Sequence, residues 1–130
     1  MKELTKELYD RFPKVWEKLK DKYDVKRVGM ALLYFYDNGS IFQDGYILPF
    51  NFLYALLEDF FEENGLIITT KYYSRRSMFS YCIHDLTINN MWDKSYWEEL
   101  SKYNTKPEAK YQAVLKACEI YENILSEEQV

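Results

Sequence analysis

The stretch LIITTKYYSRRSMFSYCIH, residues 66–84, decides the fold. Its two halves, Leu66 to Tyr73 and Met78 to His84, are rich in β-branched and aromatic residues. The polar link Ser74-Arg75-Arg76-Ser77 joins them, which is the pattern of a hairpin. Side chains alternate along a strand, so Phe79, Tyr81 and Ile83 share one face and Ser80, Cys82 and His84 the other. The first face reads as core. The second is ambiguous.

Helices flank this hairpin. Upstream, Pro49 to Asn64 reads as a helix with Leu53, Leu56, Leu57, Phe60 and Phe61 as its apolar stripe. Gly65 stands where a left-handed C-terminal cap is expected. Downstream, Thr105-Lys106-Pro107-Glu108 is a capping box with proline in the first turn. It opens a helix from about Pro107 to Leu125 with a core stripe of Ala113, Val114, Ala117, Tyr121, Ile124 and Leu125, and the last five residues are expected to fray. Residues 85–104 are harder to read. Asn89-Asn90 suggests a loop, Ser95 to Tyr103 suggests one or two helical turns, and Trp92 and Trp97 are expected to pin the segment to the core.

Towards the N-terminus, Leu4, Leu8, Phe12, Val15, Trp16, Leu19 and Tyr23 form a helical stripe. Pro13 interrupts it, either kinking one helix or starting a second. Val28 to Tyr36 reads as one buried strand. Asn38-Gly39 then signals a hairpin, because both residues accept positive φ. Ile41 to Gln43 returns, Asp44-Gly45 turns again, and Tyr46 to Leu48 is extended. The expected fold is α+β: a small, mainly antiparallel sheet of two hairpins packed with about three helices (N-terminal, central and C-terminal), in one domain over residues 1–130.

Composition agrees with a folded globule, at 48% apolar and 29% charged residues. Aromatics reach 18%, with 13 tyrosines. Tyrosine suits half-buried positions and is over-used at interfaces, so the tyrosines serve either an aromatic core or a binding face. No apolar run approaches the roughly 20 residues that span a bilayer. The segment MKELTKELYDRF lacks the apolar core of a secretory signal. A cytoplasmic setting with Cys82 and Cys118 as free thiols follows, and no membrane partner is expected.

The net charge of −4 is unevenly spread. Residues 1–27 carry nine Lys/Arg and six Asp/Glu, whereas residues 28–70 carry six acids and no Lys or Arg. Residues 71–130 are nearly balanced, with eight basic and nine acidic residues. A nucleic-acid binder concentrates base on one face. Here the only basic excess lies at the N-terminus, diluted by acids.

Four groups of residues bear on chemistry. Cys82 and His84 share a strand face, the minimum for a thiolate–imidazolium pair, but nothing supplies an oxyanion site. Asp37, Asn38, Ser40 and Asp44 look faintly like a calcium loop, and Leu48 at the twelfth position breaks the pattern. Glu58, Asp59, Glu62 and Glu63 form two like-charge i,i+4 pairs at the negative end of a helix. They read as a solvated face, partly neutralised by Lys71, Arg75 or Arg76, or as an acidic patch for a basic partner. Lys71, Tyr72, Tyr73, Arg75 and Arg76 mix base and ring at the hairpin tip. Such a mix grips phosphates and stacks on bases, and it equally keeps an edge hairpin soluble. No Walker loop, GxGxxG, GxSxG, HExxH or CxxC occurs. No cofactor and no metal are expected.

Several phrases of the chain resemble a loose set of small uncharacterised proteins of phages, prophages and mobile elements of Bacteroidetes-type bacteria. They are Leu19-Lys20-Asp21-Lys22-Tyr23-Asp24, Leu33-Tyr34-Phe35-Tyr36-Asp37-Asn38-Gly39, Leu48-Pro49 and the helix end Leu56 to Ile67. Tyr103 to Ala109 and Ala113 to Tyr121 complete the series. Where that set has Trp and Arg, this chain has Phe60 and Glu62-Glu63. The resemblance implies a bacterial, mobile-element setting and no activity. The expected function is a non-enzymatic protein-interaction or accessory module with Glu58, Asp59, Glu62, Glu63, Lys71, Tyr73, Arg75 and Arg76 as binding residues. The partner is a protein, or in the alternative a nucleic acid held at the hairpin tip. An aromatic, two-faced hairpin calls for covering, which also allows a homodimer.

Overall fold

Pro13 has no N–H, and its ring clashes with the carbonyl four residues back, so a helix that reaches it kinks or breaks. The computed structural model, which describes residues 4–28, 31–75, 78–87 and 96–128, breaks the N-terminal helix there. α1 is Leu4–Arg11 and α2 is Pro13–Tyr23. Then come β1 (Arg27–Val28), β2 (Ala31–Phe35), β3 (Ile41–Gln43), β4 (Tyr46–Ile47), α3 (Phe50–Glu63), β5 (Leu66–Tyr73), β6 (Met78–Asp85), β7 (Tyr96–Tyr103) and α4 (Lys106–Glu128). The class is α+β.

The strands form two antiparallel sheets rather than one, with orders β1-β2-β3-β4 and β5-β6-β7. The chain divides into two compact units: Met1–Leu53 with Cys118–Val130, and Tyr54–Ala117. α3 and α4 each pass from one unit into the other.

In the first unit, α1 and α2 bury Leu4, Leu8, Val15, Trp16, Leu19 and Tyr23, the stripe read from spacing. The Trp16 ring lies edge-on to Tyr9 at 5.4 Å and tilted against Phe35 at 5.3 Å, which ties both helices to β2. α2 has no local side-chain cap, since its N-cap residue is Phe12. Its two free N–H groups, on Lys14 and Val15, donate instead to the Glu122 carboxylate of α4, at 3.1 and 2.9 Å. The anion also faces the positive end of the helix dipole.

The run 28–36 is not one strand. Val28 pairs with Ala31 and Arg27 with Leu32, so the chain doubles back between β1 and β2. Gly29 and Met30 lie outside the described residues. The Asn38-Gly39 hairpin forms, but only Gly39 takes positive φ, at 84°. Asn38 instead accepts the Ser40 N–H through its side chain at 3.0 Å. A Cβ on Gly39 would lie 3.0 Å from Tyr9 Cβ and 3.1 Å from Lys6 Cα, so α1 also needs glycine there. Asp44-Gly45 turns as expected, with φ of 49° and 89°.

In the second unit, β5 and β6 pair from Leu66↔Asp85 to Tyr73↔Met78, the hairpin read from the sequence. Gly65 caps α3 at φ 88°, and its carbonyl accepts the Leu86 N–H at 2.7 Å. The segment expected to form helical turns is strand β7, paired with β6 from His84↔Tyr96 to Phe79↔Tyr103. β6 is buried at four consecutive positions, Ser80 to Ile83. A strand buried on both faces has backbone groups on both edges to satisfy, and that demand overrides weak local helix preference. The Asn89-Asn90 loop and the pinning role of Trp92 and Trp97 concern side chains and backbone outside the described residues. Thr105 Oγ1 accepts the Glu108 N–H at 3.3 Å, as the capping box requires, and α4 continues past Leu125 to Glu128.

Two substitutions test this frame by chemical denaturation. Glu122→Ala removes the cap of α2 and is expected to cost about 1–2 kcal/mol, with Glu122→Gln costing less. Val25, just past the C-cap Asp24 of α2, has φ 52° and is 62% exposed. Because a β-branched residue is strained there and asparagine is not, Val25→Asn is expected to stabilise by about 0.5–1 kcal/mol.

Candidate functional site

Alternation along the first sheet sorts its side chains. Leu33, Phe35, Ile41 and Leu48 are buried on the inner face. The pairing Tyr34↔Phe42 and Phe42↔Ile47 puts Tyr34, Phe42 and Ile47 together on the outer face, where Leu32 and Tyr36 also fall. Tyr34 and Phe42 are half-buried, Tyr36 is 49% exposed and Ile47 73% exposed. Tyr36 and Phe42 meet edge to face at 5.3 Å. Arg27, opposite Leu32 on β1, is the one charged residue that this register adds to the face. Tyr46, the first residue of β4, alternates to the other face and is 78% exposed at the edge. A groove of about 320 Å³ opens there between Ile41, Ile47, Leu48, Pro49, Phe50 and Leu53, with Thr5 and Ser40 as its polar contributors. That is the small end of the roughly 300–1,000 Å³ range of ligand pockets, enough for one or two side chains.

These residues were read as a buried strand, its return strand and a further extended piece, and none was singled out as a site. The available signal was the tyrosine at every second position, Tyr34 and Tyr36. A residue with an apolar ring and a wet hydroxyl, repeated at period two, marks a face that is only half covered.

The residues singled out from the sequence fall elsewhere. Asp59, Glu62 and Glu63 are exposed on the last turns of α3, and Glu58 is half-buried. Glu58 acts on Tyr54: burial first, and then the Glu58 carboxylate, hold that phenol well above its usual range. Lys110 Nζ sits 4.6 Å over the Tyr54 ring. Arg75 stands away from the acids. Gly65 follows α3 directly, whereas Arg75 lies beyond the far end of β5, about 23 Å along a strand of that length. Lys71 and Arg75 are exposed and Tyr73 is half-buried, while Arg76 lies outside the described residues. Tyr72 packs on Phe79 at 4.9 Å.

On the second face of β6 the two candidate catalytic residues part company. Cys82 is 1% exposed, with its Sγ 2.7 Å from Thr69 Oγ1. His84 is exposed. Ser80 is fully buried, and among the described residues its hydroxyl has no hydrogen-bond partner. Asp85 is buried and accepts the Thr87 N–H at 2.9 Å, which forms the turn after the strand. Cys118 is enclosed in the first unit; burial, with Glu122 adding to it, pushes its thiol well above the ordinary range. Among the described residues no three His, Cys, Asp or Glu side chains converge as metal ligands, and no helix is long and apolar enough to cross a membrane.

Both thiols are therefore expected to resist a disulfide reagent near neutral pH until the chain is denatured, when two equivalents react. Fast labelling of the native protein would return Cys82 to consideration as a nucleophile. The chain matches no protein-family model, no curated protein and no solved structure.

Proposed function

We propose that this chain is a non-enzymatic protein-interaction module that meets its partner through the outer face of the first sheet. The mobile-element setting suggested by the sequence resemblance is part of that proposal. The observation that carries it is the exposure of Tyr36 and Ile47 beside half-buried Tyr34 and Phe42 on that face. Tyrosine gives contact area at low entropic cost and is enriched at interfaces, whereas a solvated sheet face alternates towards charge. The acids of α3 are a weaker basis. Three of the four stand in solvent, where single charges contribute little to affinity.

The test is affinity capture from a bacterial lysate with three proteins: wild type, Tyr36→Ser/Ile47→Ser, and Glu58→Gln/Asp59→Asn/Glu62→Gln/Glu63→Gln. All sheet substitutions are at exposed positions, and circular dichroism checks the fold. A protein held by wild type and by the acid variant, but lost from the sheet variant, supports the reading. A protein lost only from the acid variant moves the site to α3, and no protein held by wild type ends the proposal.

A second reading rests on Lys71, Tyr72 and Arg75, which are exposed together near the tip of the β5–β6 hairpin. It makes the tip a nucleic-acid contact. It requires a single-stranded oligonucleotide to shift at low ionic strength, weaken as salt rises, and weaken further in Lys71→Ala/Arg75→Ala. A salt-insensitive or absent shift removes it.

A further inference from the structure

Resting on the protein-interaction reading, we propose that β4 accepts an extended, basic segment of the partner as a fifth strand of the first sheet. The backbone pattern makes this edge receptive. The Tyr36 N–H donates to the Ser40 carbonyl and the Leu48 N–H to the Ile41 carbonyl, both at 3.0 Å. Bonded and non-bonded pairs alternate in an antiparallel ladder. With Phe42↔Ile47 and Gln43↔Tyr46 in register, Ile47 is the residue whose N–H and C=O point away from β3. Among the described residues β4 pairs with β3 alone.

Side chains supply the rest of such a site. A strand added along β4 alternates its own side chains between the two faces. One set falls over Ile47 and Phe42 on the outer face. The other falls toward the groove between Leu48, Phe50 and Leu53, which has room for a large apolar anchor. Main-chain bonds then hold the segment, and the groove selects it.

Charge chooses between a foreign segment and a second copy. Within the first unit, residues 28–53 bring two acids, Asp37 and Asp44, and no Lys or Arg. Asp44 is exposed in the turn that leads into β4. Asp37, in the preceding turn, is 3.5 Å from Lys20. The nearby Lys6 lines a separate cleft with Glu7, Asp10 and Arg11. Two copies joined at β4 would each present Asp44 and no cation from this stretch. A partner strand with Lys or Arg beside its apolar residues complements the edge instead.

The probe is a random twelve-residue peptide library selected on the full chain, with enriched peptides re-measured by fluorescence anisotropy. The expected sequences alternate apolar residues and carry Lys or Arg. Ile47→Pro removes the outward N–H and leaves the bonds to β3, so it is expected to weaken binding about tenfold. A scan of peptides N-methylated at single backbone positions, on the unmodified protein, should show losses at every second residue, and this arm is immune to misfolding of the variant. Asp44→Lys should weaken the basic peptides further. Peptides indifferent to N-methylation and to Ile47→Pro overturn the added strand while leaving an interaction face of another kind. A wild-type dimer in sedimentation that Ile47→Pro abolishes replaces the basic partner with a second copy. No enrichment at all overturns the inference, and the lysate capture then decides the parent reading by itself.

Discussion

The N–H groups of Lys14 and Val15 end on the carboxylate of Glu122, more than a hundred residues along the chain. Pro13 makes this bond necessary. It starts α2 afresh, and Phe12 at the N-cap has no oxygen to offer. A helix end left unsatisfied in the interior would cost a hydrogen bond or more for each donor. The C-terminal helix supplies the missing acceptor, and Lys14 Nζ adds a second tie to Ser126 Oγ at 3.1 Å. The first unit is therefore assembled from both ends of the chain and contains no complete core until α4 is in place. Its folding depends on contacts of long sequence separation, which are slow to form.

With the helices fixed in this way, Trp16 and Phe35 set one face of β2 inward, and the strict period of two sends Tyr34 and Tyr36 outward. The short turns at Gly39 and Gly45 keep β3 and β4 in register, so Phe42 and Ile47 join that outer face. The sheet is too small to bury both of its faces. The result is an outer face on which Tyr36 and Ile47 stay exposed beside half-buried Tyr34 and Phe42. Pro49 stops β4 after two residues, which keeps the open edge short and limits indiscriminate pairing.

Elements with strong local signals were legible in the sequence. The β5–β6 hairpin, the Gly65 cap, the Thr105 capping box and the helical stripes all formed where spacing and turn chemistry put them. The candidate site was much less legible. The acids and the hairpin tip were noticed because charge stands out in a sequence, whereas the outer face consists of ordinary apolar residues in a strand that reads as buried. Exposure of a tyrosine is decided by what packs over it. The separation of Arg75 from Glu62 and Glu63 was equally hidden, since nearness in sequence suggested pairing and the length of β5 forbids it.

By itself the sequence determined what depends on neighbours a few residues apart: the break at Pro13, the turns at Gly39, Gly45 and Gly65, and the alternating faces of β6. Tertiary structure decided what depends on distant partners. It made β7 a strand, because β6 has a second edge to satisfy. It split the strands into two sheets, brought Glu122 to α2, and left β4 as an open edge. The physical reason is the same throughout. Backbone conformation is biased locally, but a buried donor, a sheet edge or an apolar face is satisfied only by whatever the rest of the chain brings to it.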